Sequence, residues 1–157
     1  MKISLLAIGK TDDSRIVSLT DDYLKRLQHY ITIEFQIIPD LKKVKKRTTE
    51  QQKQAEGEEI LKHLAPSDML ILLDEGGKSF DSVAFSGFLQ KKMNSGLKNL
   101  IFVIGGPYGF SDRVYDRADG KVSLSAMTFS HQMIRVFFVE QLYRAFTILR
   151  NEPYHHR

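Results

Sequence analysis

Short apolar runs alternate with amphipathic stretches along this chain. Residues 2–8 (Lys-Ile-Ser-Leu-Leu-Ala-Ile) form one such run, closed by Gly9, and read as a strand. Asp12, Asp13 and Ser14 offer N-caps for a helix reaching about Tyr30, with Ile16, Leu19, Tyr23 and Leu27 at helical spacing. Residues 31–38 partly alternate, are rich in β-branched side chains and stop at Pro39-Asp40, which predicts a second strand. A polar helix is expected from about Thr48 to Leu64. Its apolar face is thin (Ala55, Ile60, Leu61, Leu64) and suits the edge of a fold.

Residues 69–74 and 100–104 are continuous apolar runs, the kind buried on both faces of a parallel sheet. Gly76-Gly77-Lys78-Ser79 reads as a turn into a helix over about 82–94. After Gly105-Gly106-Pro107-Tyr108-Gly109 come a short helix from about Ser111, a short strand near 122–124 and a long helix from about Gln132 to Arg150. Strands alternating with helices predict an α/β fold: a mainly parallel sheet sandwiched by helices, in one domain spanning 1–157.

The last helix carries more apolar surface than one packing partner needs. Ile134, Phe137, Phe138, Leu142, Ala145, Phe146 and Leu149 form one face, and Val136, Val139 and Tyr143 continue round the side. Such a helix is buried on more than one side. The sheet covers one, and a second copy of the same helix is the simplest cover for the other, so a homodimer is expected. Arg135, Glu140, Arg144 and Arg150 interrupt the pattern. Glu140 and Arg144 are four apart and able to pair, and arginine on so apolar a helix is an ion-pair partner or points into a site.

Composition removes several classes of function. At 157 residues, 42% hydrophobic and 27% charged, the chain is an ordinary globular one rather than a disordered tail or fibre. It has no cysteine, which excludes a disulfide framework, a zinc ribbon and a thiol nucleophile. No apolar run is long enough to span a membrane and no signal peptide opens the chain, so a soluble cytoplasmic protein is expected. The formal charge is +4, a mild excess, but five basic residues (Lys42, Lys43, Lys45, Lys46, Arg47) fall within six positions. A basic run suits nucleic acid, although most charge runs are solvated surface.

Common catalytic motifs fail on spacing. The first glycine of a P-loop ending at Gly77-Lys78-Ser79 would fall on Leu72, inside a strand. The 105–109 stretch lacks the dinucleotide-binding glycine pattern, the histidines have no metal-ligand spacing, so no metal is expected, and no nucleophile elbow is present. What remains is three loops, 73–77, 105–109 and 124–130, at the carboxyl ends of apolar strands. Ligands of open α/β sheets bind at that edge, where glycines admit them close to the backbone. Equally, each glycine can serve only a tight turn.

Four stretches together resemble a known family. They are Leu72-Leu73-Asp74 with Gly77-Lys78; Ile104-Gly105-Gly106-Pro107-x-Gly109; Leu124-Ser125-Ala126-Met127-Thr128-x-x-His131; and Arg135-Val136 with Glu140-Gln141-Leu142-Tyr143-Arg144-Ala145 and Pro153-Tyr154-His155. In order and over essentially the whole length they resemble the bacterial ribosomal RNA large-subunit methyltransferase H family, a minimal SPOUT class. The resemblance implies a C-terminal trefoil knot, against the general rule that chains do not knot. It also implies a homodimeric active site, S-adenosylmethionine as methyl donor, and the N3 of a pseudouridine in 23S rRNA of the assembled ribosome as acceptor.

By the same resemblance, Leu73, Gly105, Leu124, Ser125, Ala126, Met127, Thr128 and Phe129 are expected to bind the cofactor. His131, Arg144, Tyr154 and His155 are expected on the substrate side, Arg144 and His155 stabilising charge on the acceptor ring. Family tails end Tyr-His-Arg or Tyr-His-Lys; this chain ends Tyr154-His155-His156-Arg157, with the basic residue one place later. Ser130 stands where proline is frequent. The alternatives are a non-catalytic RNA- or ribosome-binding protein and a methyltransferase acting on another RNA such as tRNA. His131 as a helix cap and Arg144 as a mere partner of Glu140 are the plain structural roles open to those side chains.

Overall fold

Five strands make one sheet in which every pairing is parallel. The computed structural model describes residues 1–41 and 47–156. The strands are β1 (Lys2–Ile8), β2 (Thr32–Ile38), β3 (Met69–Ser79), β4 (Asn99–Ile104) and β5 (Gly120–Ser123), in the order β2-β1-β4-β3-β5. The register runs Leu5 opposite Phe35 and Phe102, and Ile71 opposite Phe102. The helices are α1 (Ser14–Leu27), α2 (Thr49–Lys62), α3 (Ser82–Asn94), α4 (Asp112–Arg117) and α5 (Met133–Leu149). Side chains beyond the strict period set their starts: Asp13 accepts from Arg15 N, Thr48 and Gln51 form a reciprocal capping box, and Asp81 accepts from Ala84 N.

The period of two in the strands divides the core between two faces. Ile3, Leu5, Leu100, Phe102 and Ile104 point to one side and pack with Leu27 of α1, Phe85 and Leu89 of α3, and Phe138, Leu142 and Phe146 of α5. Leu6, Ile8, Ile101 and Val103 point to the other and meet Ile60 of α2 and Val114 of α4. Hence α2 packs with α4 over this face of the sheet, instead of lying at the edge as its thin apolar stripe suggests. Its buried face is largely polar, with Gln52 and Glu56 joined by a 2.7 Å hydrogen bond, and Gly57 lets the helix close onto α4. A Cβ on Gly57 would stand 2.3 Å from Ser111 Oγ.

Two further expectations differ from the structure. The turn expected at residues 76–79 belongs to β3. That strand leaves β5 after Leu73, bulges out over residues 74–77 and returns, so that both Leu73 and Lys78 pair with Val122. Gly77 permits the return, since a Cβ there would lie 2.6 Å from the Val122 backbone. Correspondingly β5 is Gly120–Ser123, and Leu124 already lies beyond it.

The second correction concerns α5. Its flanks are covered within the chain, by α1 on one side and α3 on the other. Phe138 and Phe146 are thus internal, 0% and 4% exposed, and the argument that a second copy must cover them does not hold. The apolar side chains α5 leaves in the open are Met133 and Phe137, at its first turns.

The Phe138 ring lies 4.8 Å from that of Phe102 between centroids and also contacts Phe85. Truncation to alanine leaves a cavity in the middle of the core. Phe138→Ala is expected to cost about 3–5 kcal/mol of stability, measured by equilibrium urea unfolding.

Candidate active site

The bulge of β3 and the carboxyl ends of β4 and β5 open on a cleft of about 680 Å³. Its walls come from three segments: residues 73–76 in the β3 bulge, 104–110 after β4, and 122–131 from the end of β5 onward. Leu73, Ile104, Val122, Leu124 and Ile134 make it apolar at the base, while Gly105 and Gly106 leave backbone bare on one side. The 106–109 turn is closed by Gly109 N donating to Gly106 O at 3.1 Å, with Gly109 at φ +76°, a conformation that favours glycine. Phe110, 5% exposed, anchors the loop, and its ring would stand 3.0 Å from a Cβ on Gly105.

Of the residues expected to bind a cofactor, Leu73, Gly105, Leu124, Ser125, Met127, Thr128 and Phe129 line this cleft. Ala126 does not. His131 lines it as well, apart from the other three residues placed with it on the substrate side. Ser125 shapes the wall by accepting at its carbonyl from Ser123 Oγ and at its hydroxyl from Met127 N. Beyond it the wall is open: Met127 is 76% exposed, and the Phe129 ring packs at a tilt against the exposed Phe137 with centroids 4.9 Å apart.

Asp74 also lines the cleft, a residue quoted in the β3 motif without a role. It accepts from Gly76 N at 2.8 Å and from the Tyr115 hydroxyl at 2.6 Å. Burial, then the hydrogen bond to Asp74, pushes the Tyr115 phenol up to about 12, so it stays a donor. Nothing in the sequence pattern joins positions 41 residues apart; only the folded sheet does.

Arg144, Tyr154 and His155 form a separate cluster. Arg144 donates to Glu140 Oε1 at 2.6 and 3.1 Å, Tyr154 donates to the same oxygen at 3.0 Å, and Arg144 lies over the Tyr154 ring. Arg144 Nη1 is 3.4 Å from His155 Nδ1, and the Tyr154 hydroxyl is 3.1 Å from that of Tyr23. Burial, helped by Tyr23 and Glu140, pushes the Tyr154 phenol well above its ordinary range. The tail is therefore packed rather than frayed as a chain end alone would suggest. Ile134 faces the cleft and Arg144 comes ten residues later on the same helix, about 15 Å along its axis. The tail cluster and the cleft of one chain do not meet. Of the basic run, Lys42, Lys43, Lys45 and Lys46 lie outside the described residues, as does Arg157.

A sheet with this strand order and a ligand-sized cleft at its carboxyl edge defines a class, and comparison with known proteins identifies it. A family model described as "Predicted SPOUT methyltransferase" matches residues 1–155. The chain belongs to the SPOUT methyltransferase family, whose enzymes use S-adenosylmethionine as methyl donor. Relatives named ribosomal RNA large subunit methyltransferase H include those of Flavobacterium johnsoniae (65% identical, 100% of both chains), Parabacteroides distasonis (59%, 99% of both) and Bacteroides thetaiotaomicron (51%, 99% of both). A solved structure of a "probable methylase family protein" from Haemophilus influenzae Rd KW20 shares the fold, with a TM-score of 0.53 at 12% identity, covering 99% of this chain and 70% of that one. No helix among the described residues is long and apolar enough to cross a membrane.

The Tyr115–Asp74 bond sets an alkaline limit. Its phenol binds a proton more tightly when folded, so its stabilisation is complete below pH 10 and is lost as pH rises toward about 12. Tyr115→Phe is expected to remove one late-titrating phenol from an ultraviolet titration and to flatten the fall in urea-measured stability over that window.

Proposed function

We propose that this chain is an S-adenosylmethionine-dependent methyltransferase acting on N3 of a pseudouridine in 23S rRNA of the assembled ribosome, and that it works as a homodimer. Support for the RNA comes from the relatives' shared name at 51–65% identity over their full length. The observation that carries the dimer is the separation of the cleft from the Arg144–Tyr154–His155 cluster by more than half the length of α5. A second chain can bring its tail to the first chain's cleft. Exposed Met127, Phe129, Met133 and Phe137 beside the cleft give such a partner an apolar surface.

The cleft fits the methyl donor. Its volume is in the range for a cofactor, its base is apolar, and Gly105 and Gly106 bare the backbone groups that read a heterocycle's edge. Leu73, Gly105 and the wall from Leu124 to Phe129 hold it in this reading, Ala126 through its neighbours. When bound, S-adenosylmethionine supplies a methyl group already activated on a sulfonium, so no covalent enzyme intermediate is required. Positioning then supplies most of the acceleration.

The chain's own residues prepare the acceptor. An imide N3 becomes nucleophilic when its proton leaves, and the charge spreads onto the flanking carbonyl oxygens. Arg144 stabilises that charge. Glu140 fixes its guanidinium through two hydrogen bonds and leaves Nη1 facing His155. Tyr154 offers an aromatic face of the kind on which RNA bases stack, and His131 adds a polar group on the cleft wall.

Methyl incorporation into ribosomes from cells lacking the modification tests this reading, with naked rRNA as the comparison. Transfer to intact ribosomes is expected, and its absence from both substrates would overturn the proposal in favour of a pure RNA binder. Deleting residues 154–157 is expected to lower methyl transfer by about two orders of magnitude or more while calorimetry still shows the cofactor binding. Gly105→Val, which forces the Phe110 ring and narrows the cleft, is expected to abolish that binding. Sedimentation should give about twice the 18.1 kDa chain mass.

A further inference from the structure

One wall of the cleft has almost no regular structure to hold it. Residues 124–132, between β5 and α5, belong to neither sheet nor helix. The bonds made by Ser123, Ser125 and Met127 are local to the segment's start. A segment of this kind takes its position from its ends. The upstream end continues β5. The downstream end meets Arg135, whose exposure is 0%.

Arg135 reaches three parts of the chain at once. Nε donates to His131 O at 3.0 Å, one terminal nitrogen to Thr11 Oγ1 at 2.9 Å, and the other to Ile8 O at 2.9 Å. One planar guanidinium therefore joins the cleft wall, the loop before α1 and the carboxyl end of β1. Gln132 repeats the link nearer the surface, accepting from Asp12 N at 2.9 Å and donating to Lys10 O at 3.2 Å. No carboxylate among the described residues forms an ion pair with Arg135, so its acceptors are uncharged. Burial lowers its pKa, opposed only by the charge of Asp12. Holding α5 to the sheet does not call for this residue, since an apolar side chain of similar volume does so without burying a charge. A fork of fixed donors is needed to hold three acceptors in three directions.

We propose that Arg135 is a positioning residue of the methyl-donor pocket: by holding the His131 carbonyl against the end of β1, it fixes the wall formed by residues 124–131. The cleft's role in binding the donor is taken from the function proposed above.

The test uses Arg135→Met, Arg135→Lys and Thr11→Val, with S-adenosylmethionine affinity by calorimetry, amide hydrogen exchange by residue and urea unfolding. Expected is exchange about tenfold faster across residues 124–131 with β4 unchanged, and affinity about tenfold weaker in Arg135→Met. Arg135→Lys should recover part of both, and Thr11→Val, which removes one tether, should show a smaller change in the same direction. Should Arg135→Met fail to fold, the other two variants decide. Variants that fold, bind like the wild type and show unchanged exchange at 124–131 would overturn the proposal. A loss of stability with uniformly faster exchange would do the same, reducing Arg135 to a core contact. Failure of the wild type to bind S-adenosylmethionine overturns the pocket reading instead, and exchange at 124–131 still decides whether Arg135 holds the wall.

Discussion

All five strands run the same way, so all their carboxyl ends open on one edge of the sheet, and the loops that leave them gather there. Parallel pairing also forces each connection to cross back over a face, with α1 and α3 on one side and α2 and α4 on the other; α5, after the last strand, packs between α1 and α3. The cleft is a consequence of both. Three strands adjacent in space meet there: β4 and β5 end and β3 bulges between them, and the segments around them enclose a volume that no helix fills. Ligand binding at this edge is the general property of open parallel sheets.

The same geometry accounts for the division of the candidate site. Helix α5 begins at the cleft and runs back along the sheet, carrying Arg144 and the tail to its far part. Tyr23 of α1 and Tyr143 of α5 pack around Tyr154 there, and Glu140 accepts one hydrogen bond from the Tyr154 hydroxyl and two from Arg144. A cluster of this composition, away from the cleft at the carboxyl edge of its own sheet, is accounted for if it serves the cleft of another chain.

Much of the fold was legible because period decides it. The apolar runs at 69–74 and 100–104 have the length and composition of buried parallel strands, and the 3.6-residue pattern marked α1 and α5. What escaped has physical causes. Residues 76–79 carry turn chemistry, yet Gly77 serves close backbone approach to Val122 instead, and nothing local distinguishes the two. Helix α2 looked peripheral because its buried face uses Gln52, Glu56 and Gly57 where a sequence reading counts only apolar side chains. For α5 the apolar excess was real, but α1 and α3 account for it within one chain. In the site, the 105–109 and 124–129 stretches were singled out by motif, and the cleft is lined by all of them but Tyr108 and Ala126. Asp74 with Tyr115, and Arg135 with Ile8 and Thr11, join positions far apart in sequence, so no spacing rule could reveal them.

The central claim is that a methyl-transfer site takes its cleft from one chain and its tail from another, and subunit mixing tests it most directly. A subunit lacking residues 154–157 is combined with a Gly105→Val subunit, each inactive alone. With crossing tails, every mixed dimer holds one intact site and one with both defects. Random assembly from equal amounts then restores about a quarter of the wild-type activity. No recovery in dimers shown to be mixed would mean that each chain completes its own site, and would contradict the account.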